Sequence, residues 1–227
     1  MVTNDRVFIV IAAFNEARTI RNVVQQLLVD YPDVVVVDDA SSDGTALCLK
    51  GLKVFLLRHI LNRGQGAALQ TGITFALQQG ADVIVTFDAD GQHHEKNIPA
   101  LVEPILRGEC DVSLGSRFLG SAHNIPFARR VILKAGIVFT RIASGIKVTD
   151  VHNGLRAFSG EAARSLRISM DRMAHASEIL DHLKTRKLRF KEVPVDITYS
   201  TLSLRKGQSS WGALKIALDV FYKKLAE

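Results

Sequence analysis

Five runs of apolar, largely β-branched residues, at 7–12, 34–38, 53–57, 82–87 and 111–114, recur along the first half of the chain with helical segments between them. No other feature restricts the fold as strongly. A strand that is apolar at successive positions must be covered on both faces, as in a parallel sheet sandwiched between helices. The intervening stretches at 16–29, 65–79 and 95–107 have the spacing of amphipathic helices, with Asn15 as a cap for the first and Gly80 ending the second. Strand and helix in repetition predict an α/β fold whose mostly parallel, Rossmann-like sheet is flanked by helices and binds a nucleotide beyond the carboxyl ends of its strands. After residue 116 the alternation stops. Helices are expected at 126–143, 160–168 and 176–186, a strand at 189–198 and a final helix at 211–225. No stretch of linker composition divides the 227 residues, so residues 1–227 read as one domain with halves at 1–116 and 117–227.

Charge separates those halves. Residues 1–116 carry nine Lys/Arg against fourteen Asp/Glu, a balance of −5, whereas residues 117–227 carry twenty against nine, a balance of +11. Acidic residues at strand ends suit a metal, and a basic second half suits phosphate or anionic lipid, or is simply a solvated face. Nucleic acid is not expected as a partner, because no recognised binding motif is present and no aromatic residues are interleaved with the basic ones. Cys48 and Cys110 are the only cysteines and fit neither a disulfide framework nor a zinc cluster. Buried free thiols in a reducing cytoplasm are the expectation. Apolar runs such as Val7–Phe14 are far too short to span a bilayer, which leaves a cytoplasmic chain, soluble or peripheral on the inner face of the membrane.

The strand at 82–87 runs directly into Asp88-Ala89-Asp90-Gly91-Gln92-His93-His94. Two carboxylates one residue apart at a strand end can face one ligand, and with Gln92 they supply hard oxygen donors for Mg²⁺ or Mn²⁺ on a diphosphate. Paired aspartates also commonly do no more than solvate a turn. His93 and His94 read as part of the turn before a helix at Glu95. Ala12-Ala13-Phe14-Asn15-Glu16 follows the first strand, and Asp38-Asp39-Ala40-Ser41-Ser42-Asp43-Gly44-Thr45 follows the second. An aromatic ring there can stack on a nucleobase, and carboxylates can accept from base N–H groups and ribose hydroxyls. Each segment alone is ordinary turn chemistry; together, at successive strand ends, they make a site.

These elements in this order resemble a family 2 glycosyltransferase of the GT-A fold. The likeness extends through Asn62-Arg63-Gly64-Gln65-Gly66-Ala67-Ala68, Gly115-Ser116-Arg117 and Asp150-Val151-His152-Asn153-Gly154-Leu155-Arg156, about the whole chain. It is strongest toward dolichol-phosphate mannose synthases and bacterial polyprenyl-phosphate glycosyltransferases. The resemblance implies an inverting, metal-dependent enzyme that moves a sugar from a UDP- or GDP-linked donor. It places Ala12, Phe14, Asn15, Glu16 and Asp39 at the nucleoside, has Asp88 position donor and metal, and makes Asp88, Asp90 and Gln92 the ligands of Mg²⁺ or Mn²⁺. For a polyprenyl-phosphate acceptor it implies a clamp of Arg117, Arg129 or Arg130, and Arg205 with Lys206. Leu133 and Ile137 stand where phosphomannose synthases commonly carry a serine and an asparagine, so two neutral hydrogen bonders of that clamp are absent.

Were the acceptor a hydroxyl, Glu178 would be the general base, since a phosphate oxygen is already anionic and a hydroxyl is not. Helix capping or ion pairing is the plainer role for Glu178. A sugar-nucleotide pyrophosphorylase is a rival enzyme, but the Ala12–Ala17 loop lacks the glycine and lysine a triphosphate needs. A catalytically idle nucleotide-binding scaffold is a rival of another class. In the last helix Trp211, Leu214, Leu218, Phe221 and Leu225 form a stripe read as core packing. Membrane contact is then peripheral or supplied by a membrane-protein partner.

Overall fold

The computed structural model describes residues 5–168 and 175–199. The final helix at 211–225 and the Arg205-Lys206 segment lie outside the described residues. Among the described residues there are seven strands, β1 (Val7–Ala13), β2 (Asp33–Asp38), β3 (Phe55–Arg58), β4 (Val83–Asp88), β5 (Val112–His123), β6 (Arg156–Ser159) and β7 (Phe190–Thr198). The helices are α1 (Ile20–Leu27), α2 (Thr45–Cys48), α3 (Gln65–Gln78), α4 (Ile98–Leu106, preceded by a 3₁₀ turn at Glu95–Asn97), α5 (Phe127–Ser144), α6 (Gly160–Ser165) and α7 (His175–Thr185).

The strands form one sheet in the order β3-β2-β1-β4-β6-β5-β7. Pairings β1–β2, β1–β4, β2–β3 and β5–β7 are parallel, while β6 lies antiparallel between β4 and β5. The chain leaves β1 toward β2 and β3, then returns to the other side of β1 for β4. That reversal is where open α/β sheets bind ligands.

The double covering predicted from composition is present. Ile9, Ile11, Val34, Val36, Val83 and Val85 face a core closed by Ile20, Val24 and Leu27 of α1 and Ile98 and Leu101 of α4. The alternate residues Phe8, Val10, Val35, Val37 and Ile84 face a second core closed by Ala68 and Ile73 of α3, Ala162 of α6 and Ile179, Leu180 and Leu183 of α7. Period-two alternation across a run such as Val34-Val35-Val36-Val37 thus fills both cores at once.

Some boundaries differ from expectation for local reasons. The strand at 111–114 continues to His123, because β7 pairs with it in two stretches, Val112–Ser116 and Ser121–His123, on either side of an irregularity. The four-residue β6 is too short for the sequence pattern to signal. Helix α1 begins at Ile20 and not at 16, and its N-terminal flanking residue is Thr19. Asn15 is therefore not its cap. It adopts φ 55°, and the amide N–H groups of Asn15, Glu16 and Ala17 go to the side chains of Ser41, Thr45 and Asp43. Gly80 does end α3, at φ 82°.

Helix α3 reaches the sheet closely at Gly72, where a Cβ would press into the Val10 side chain and lie 3.2 Å from Val37 Cγ2. Alanine gains up to ~1 kcal/mol in helix propensity over glycine, but overpacking a β-branched neighbour costs about 1–3 kcal/mol. Gly72→Ala is therefore expected to lower the urea midpoint, and adding Val10→Ala should recover part of the loss by making room for the new methyl. A single variant as stable as the wild type would show that the helix can shift freely.

Candidate functional site

Strand register sets the level of the site. Ala12 pairs with Asp88 of β4 and Ala13 with Asp38 of β2, so three neighbouring parallel strands end side by side. Phe14, the first residue beyond β1, is about half exposed. The loops after β1 and β2 are laced together, which explains the composition of Ser41-Ser42-Asp43-Gly44-Thr45. Asn15 N donates to Ser41 Oγ at 2.9 Å, Glu16 N to Thr45 Oγ1 at 2.8 Å, Ala17 N to Asp43 Oδ2 at 3.0 Å, and Ser42 N returns a bond to Asn15 Oδ1 at 3.0 Å. Burial opposes the charge of Asp43, yet hydrogen bonds from the Thr45 hydroxyl and from the Ala17 and Thr45 amides hold its carboxyl below the usual aspartate range.

Asp39 is less open than the sequence implies. It is buried, and its Oδ1 accepts from Arg63 N at 3.0 Å and faces His59 Nδ1 at 2.7 Å, while Oδ2 accepts from Gly64 N at 2.7 Å. His59 Nε2 lies 3.0 Å from the Thr71 hydroxyl. In the neutral ring this arrangement puts the proton on Nδ1, donating to Asp39, and lets Nε2 accept from Thr71. Asp39 is the anchor of the 59–64 loop, whose backbone it draws beside Phe14's strand end.

Asp88 is held from three directions. Gln65 Nε2 donates to its Oδ1 at 3.1 Å, His93 Nε2 meets its Oδ2 at 2.9 Å, and Gly154 lies so close that a Cβ there would overlap the carboxylate. His93 is buried, packs edge-on against Phe87 and, among the described residues, has no partner for Nδ1. It is consequently more than the turn residue expected. His94 Nε2 lies 2.9 Å from Thr198 Oγ1, and Thr198 N donates to Gln92 O at 3.0 Å, so the end of β7 fixes the 91–94 loop.

Burial first, then the negative charge of Asp88, pushes the Asp90 carboxyl above the usual aspartate range, with His93 and hydrogen bonds from Gln92 opposing. Two mutually repelling carboxylates in a strand-end loop are relieved by a cation. Among the described residues, no three His, Cys, Asp or Glu side chains are grouped to hold a metal ion. Asp88 and Asp90 are the two carboxylates at this strand end that could hold a cation. Gln92 donates from its amide nitrogen to Asp90 Oδ2 and from its backbone to Oδ1, so in this conformation it steadies Asp90.

On the basic side, Arg117 is buried. Its Nε lies 2.6 Å from Asp150 Oδ2, and another guanidinium N–H donates to the Tyr199 hydroxyl. The Arg129 guanidinium lies over the Tyr199 ring, 5.1 Å from its centroid, whereas Arg130 is exposed. Arg117 and Arg129 thus converge on Tyr199, a residue that sequence reasoning missed. Arg156 is buried and donates to the carbonyls of Val151 and Asn153 in the turn before β6. Burial pushes its guanidinium down to about 10, against the pull of Asp150 and Asp88, which still leaves a cation near neutral pH. Glu178 lies half-buried in the first turn of α7. Ile137 is buried in the second core and Leu133 is half-buried.

Residues 8–167 match the family model described as Glycosyl transferase family 2. The chain is 33% identical to the UDP-N-acetylglucosamine–dolichyl-phosphate N-acetylglucosaminyltransferase of Methanococcus voltae, over 96% of this chain and 94% of that protein. It is 30% identical to the undecaprenyl-phosphate mannosyltransferase of Micrococcus luteus, over 91% and 88% respectively. Its fold matches that of glucosyl-3-phosphoglycerate synthase from Mycobacterium tuberculosis, crystallised with Mn²⁺, uridine diphosphate and glucosyl-3-phosphoglycerate. That match has a TM-score of 0.72 and 20% identity, and covers 96% of this chain and 80% of the synthase. The fold is GT-A.

The anchoring role of Asp39 has a direct consequence. Asparagine keeps the shape but turns an NH₂ toward at least one of the donors on Arg63, Gly64 and His59, leaving a buried donor unsatisfied at a cost of about 1–3 kcal/mol. Asp39→Asn should lower unfolding free energy by that amount and speed hydrogen exchange at the Gly64 amide. Unchanged exchange there would mean that the loop holds itself.

Proposed function

The chain belongs to glycosyl transferase family 2 and is a glycosyltransferase, and we propose that it uses a divalent cation to move a sugar, with inversion, from a nucleoside-diphosphate donor to a polyprenyl phosphate. The observation that carries this reading is the placement of Asp88. Its carboxylate is fixed by Gln65, His93 and the close approach of Gly154, at the reversal point of the sheet and beside the repelling charge of Asp90. Mg²⁺ or Mn²⁺ bound by Asp88 and Asp90 would neutralise charge on the departing diphosphate.

On the donor side Phe14 offers an exposed ring for the base. Ala12, Asn15 and Glu16 shape the adjoining wall, and Asp39 contributes through the loop it anchors. The base is uracil or guanine. An oxygen of the acceptor forms the new bond to the anomeric carbon as the bond from that carbon to the diphosphate oxygen breaks, its electron pair leaving with the nucleoside diphosphate. Attack opposite the leaving group inverts the centre.

A phosphate acceptor asks for cations and not for a base, because its oxygen is already ionised near neutral pH. Arg129 over Tyr199, with Arg117 behind it, supports such a clamp, and Arg205 and Lys206 complete it in this reading. The methanococcal and micrococcal relatives, named for dolichyl-phosphate and undecaprenyl-phosphate transfer, support the same acceptor class.

Two measurements test the two halves of the proposal. Calorimetry with UDP and with GDP, with and without Mn²⁺, should show that Asp90→Asn loses the metal-dependent gain in affinity while melting as the wild type does. A retained gain removes Asp90 from the metal site. For the acceptor, transfer to a short polyprenyl phosphate should be compared with transfer to the free alcohol. Losing a charged hydrogen bond of about 1.5–3 kcal/mol predicts a fall of roughly tenfold to a hundredfold in Arg129→Ala. Glu178→Gln should change the rate by less than about threefold, since no proton has to be removed. The opposite ordering, with the alcohol as the better acceptor, would overturn the phosphate reading and make Glu178 the base.

A further inference from the structure

The turn from Asp150 to Gly154 is strung between the two sides of the site. At one end Asp150 pairs with Arg117, and at the other Gly154 rests against the Asp88 carboxylate. Of the three residues between them, Val151 is buried in the second core, and Asn153 is buried with its Oδ1 accepting from Leu155 N at 3.0 Å. His152 alone of the three is exposed. Two residues from either end, its Cα is at most about 7 Å from those of Asp150 and Gly154.

The imidazole leans on α5 at Gly136, where a Cβ would come within 2.8 Å of its Cε1 and 3.4 Å of its Nδ1. Gly136 falls within about 20° of Arg129 around the helix and about 10 Å along it. Between Arg129 and Ile137 this arc of α5 carries Ile132, Leu133 and Gly136, none of which can hydrogen-bond through its side chain. A phosphate seated over Leu133 would thus have Arg129 about 6 Å before it along the helix and the His152 ring about 5 Å after it. Among the described residues neither ring nitrogen of His152 has a hydrogen-bond partner.

We propose that His152 is a contact for the acceptor phosphate, its imidazole N–H donating to an oxygen of the phosphate held by Arg129 and supplying from the loop the neutral hydrogen bond that α5 lacks at Leu133 and Ile137. The inference rests on the proposed polyprenyl-phosphate acceptor. Charge around the ring agrees with it. Desolvation first, then the Arg117 and Arg156 cations, hold His152 below the usual histidine range, with Asp150 opposing. Before a phosphate arrives the ring is therefore neutral near neutral pH, with one N–H to donate.

Calorimetric titration of the full chain with farnesyl phosphate and with farnesol tests the contact without turnover. The wild type is expected to bind the phosphate more tightly than the alcohol. His152→Phe keeps a ring against Gly136 and removes the N–H, so it should bind farnesyl phosphate roughly tenfold more weakly. His152→Gln restores a neutral donor and should stay within about threefold of the wild type. Both variants should melt as the wild type does and keep its metal-dependent nucleotide binding and its affinity for farnesol, which separates a lost contact from a lost fold. A phenylalanine variant that binds farnesyl phosphate as tightly as the wild type would reduce the ring to packing and overturn the proposal while leaving the phosphate acceptor standing. A glutamine variant as weak as the phenylalanine one would overturn it too, because the loss would then follow shape and not the donor. Wild-type protein that binds farnesol as well as farnesyl phosphate would instead overturn the phosphate acceptor, and this contact with it.

Discussion

A parallel strand buried on both faces has only its ends at which to present polar chemistry, and this constraint organises the molecule. Val34–Val37 and Phe8–Ile11 fill two cores with alternate side chains, so none of these positions is free for a ligand. Because β1, β2 and β4 run parallel and in register, their carboxyl ends are level, and the next few residues of each become neighbours. The loops there cannot be arbitrary. Their backbone N–H groups no longer have ladder partners, and Ser41, Asp43 and Thr45 supply the acceptors.

The acidic and basic halves meet along β6, the strand that breaks the parallel order. Its Arg156 pairs in register with Thr86, two residues before Asp88, and the preceding turn brings Gly154 against the Asp88 carboxylate. Burying a guanidinium costs several kcal/mol unless it is well bonded. Arg156 recovers part of this from two loop carbonyls and from the fields of Asp150 and Asp88. Arg117 and Asp150 make the more closely paired contact nearby, within the basic half, while the field of Asp88 at Arg156 links the two halves by charge as well as by strand pairing.

Apart from β6, the strands and their order of appearance were legible because apolar, largely β-branched runs of four to six residues recur with helical stretches between them in the first half. The Asp88 and Asp90 pair was legible because it directly follows one of them. What could not be read was any contact made across the sheet. Gly154 lies 66 positions after Asp88, and nothing local marks it as the residue on which Asp88 rests. His93 looked like a turn residue because its role depends on folding back onto Asp88 against Phe87. Tyr199, at the end of a strand correctly expected, shows its function only when Arg117 and Arg129 are brought to it from β5 and α5. Asn15 was misread for the same reason, since its partners are on the neighbouring loop and not on its own helix.

The apolar pair at Leu133 and Ile137 is explained by the same geometry. On sequence they look like the loss of a phosphate-binding face. In the structure Ile137 packs with Ile146, Val148 and Leu166, on the arc of α5 turned toward the protein, and Leu133 lies one turn from Arg129. A hydroxyl or amide at Ile137 would have to be satisfied inside that core, at a cost of about 1–3 kcal/mol if it were not. Isoleucine removes the penalty and tightens the seat of the helix. The polar contacts on this side then gather at the helix start, where Arg129 and Arg117 share the Tyr199 ring and hydroxyl. A guanidinium held over an aromatic ring has less freedom to lose when it meets an anion, so a well-packed α5 is compatible with the proposed clamp of fewer, more fixed cations.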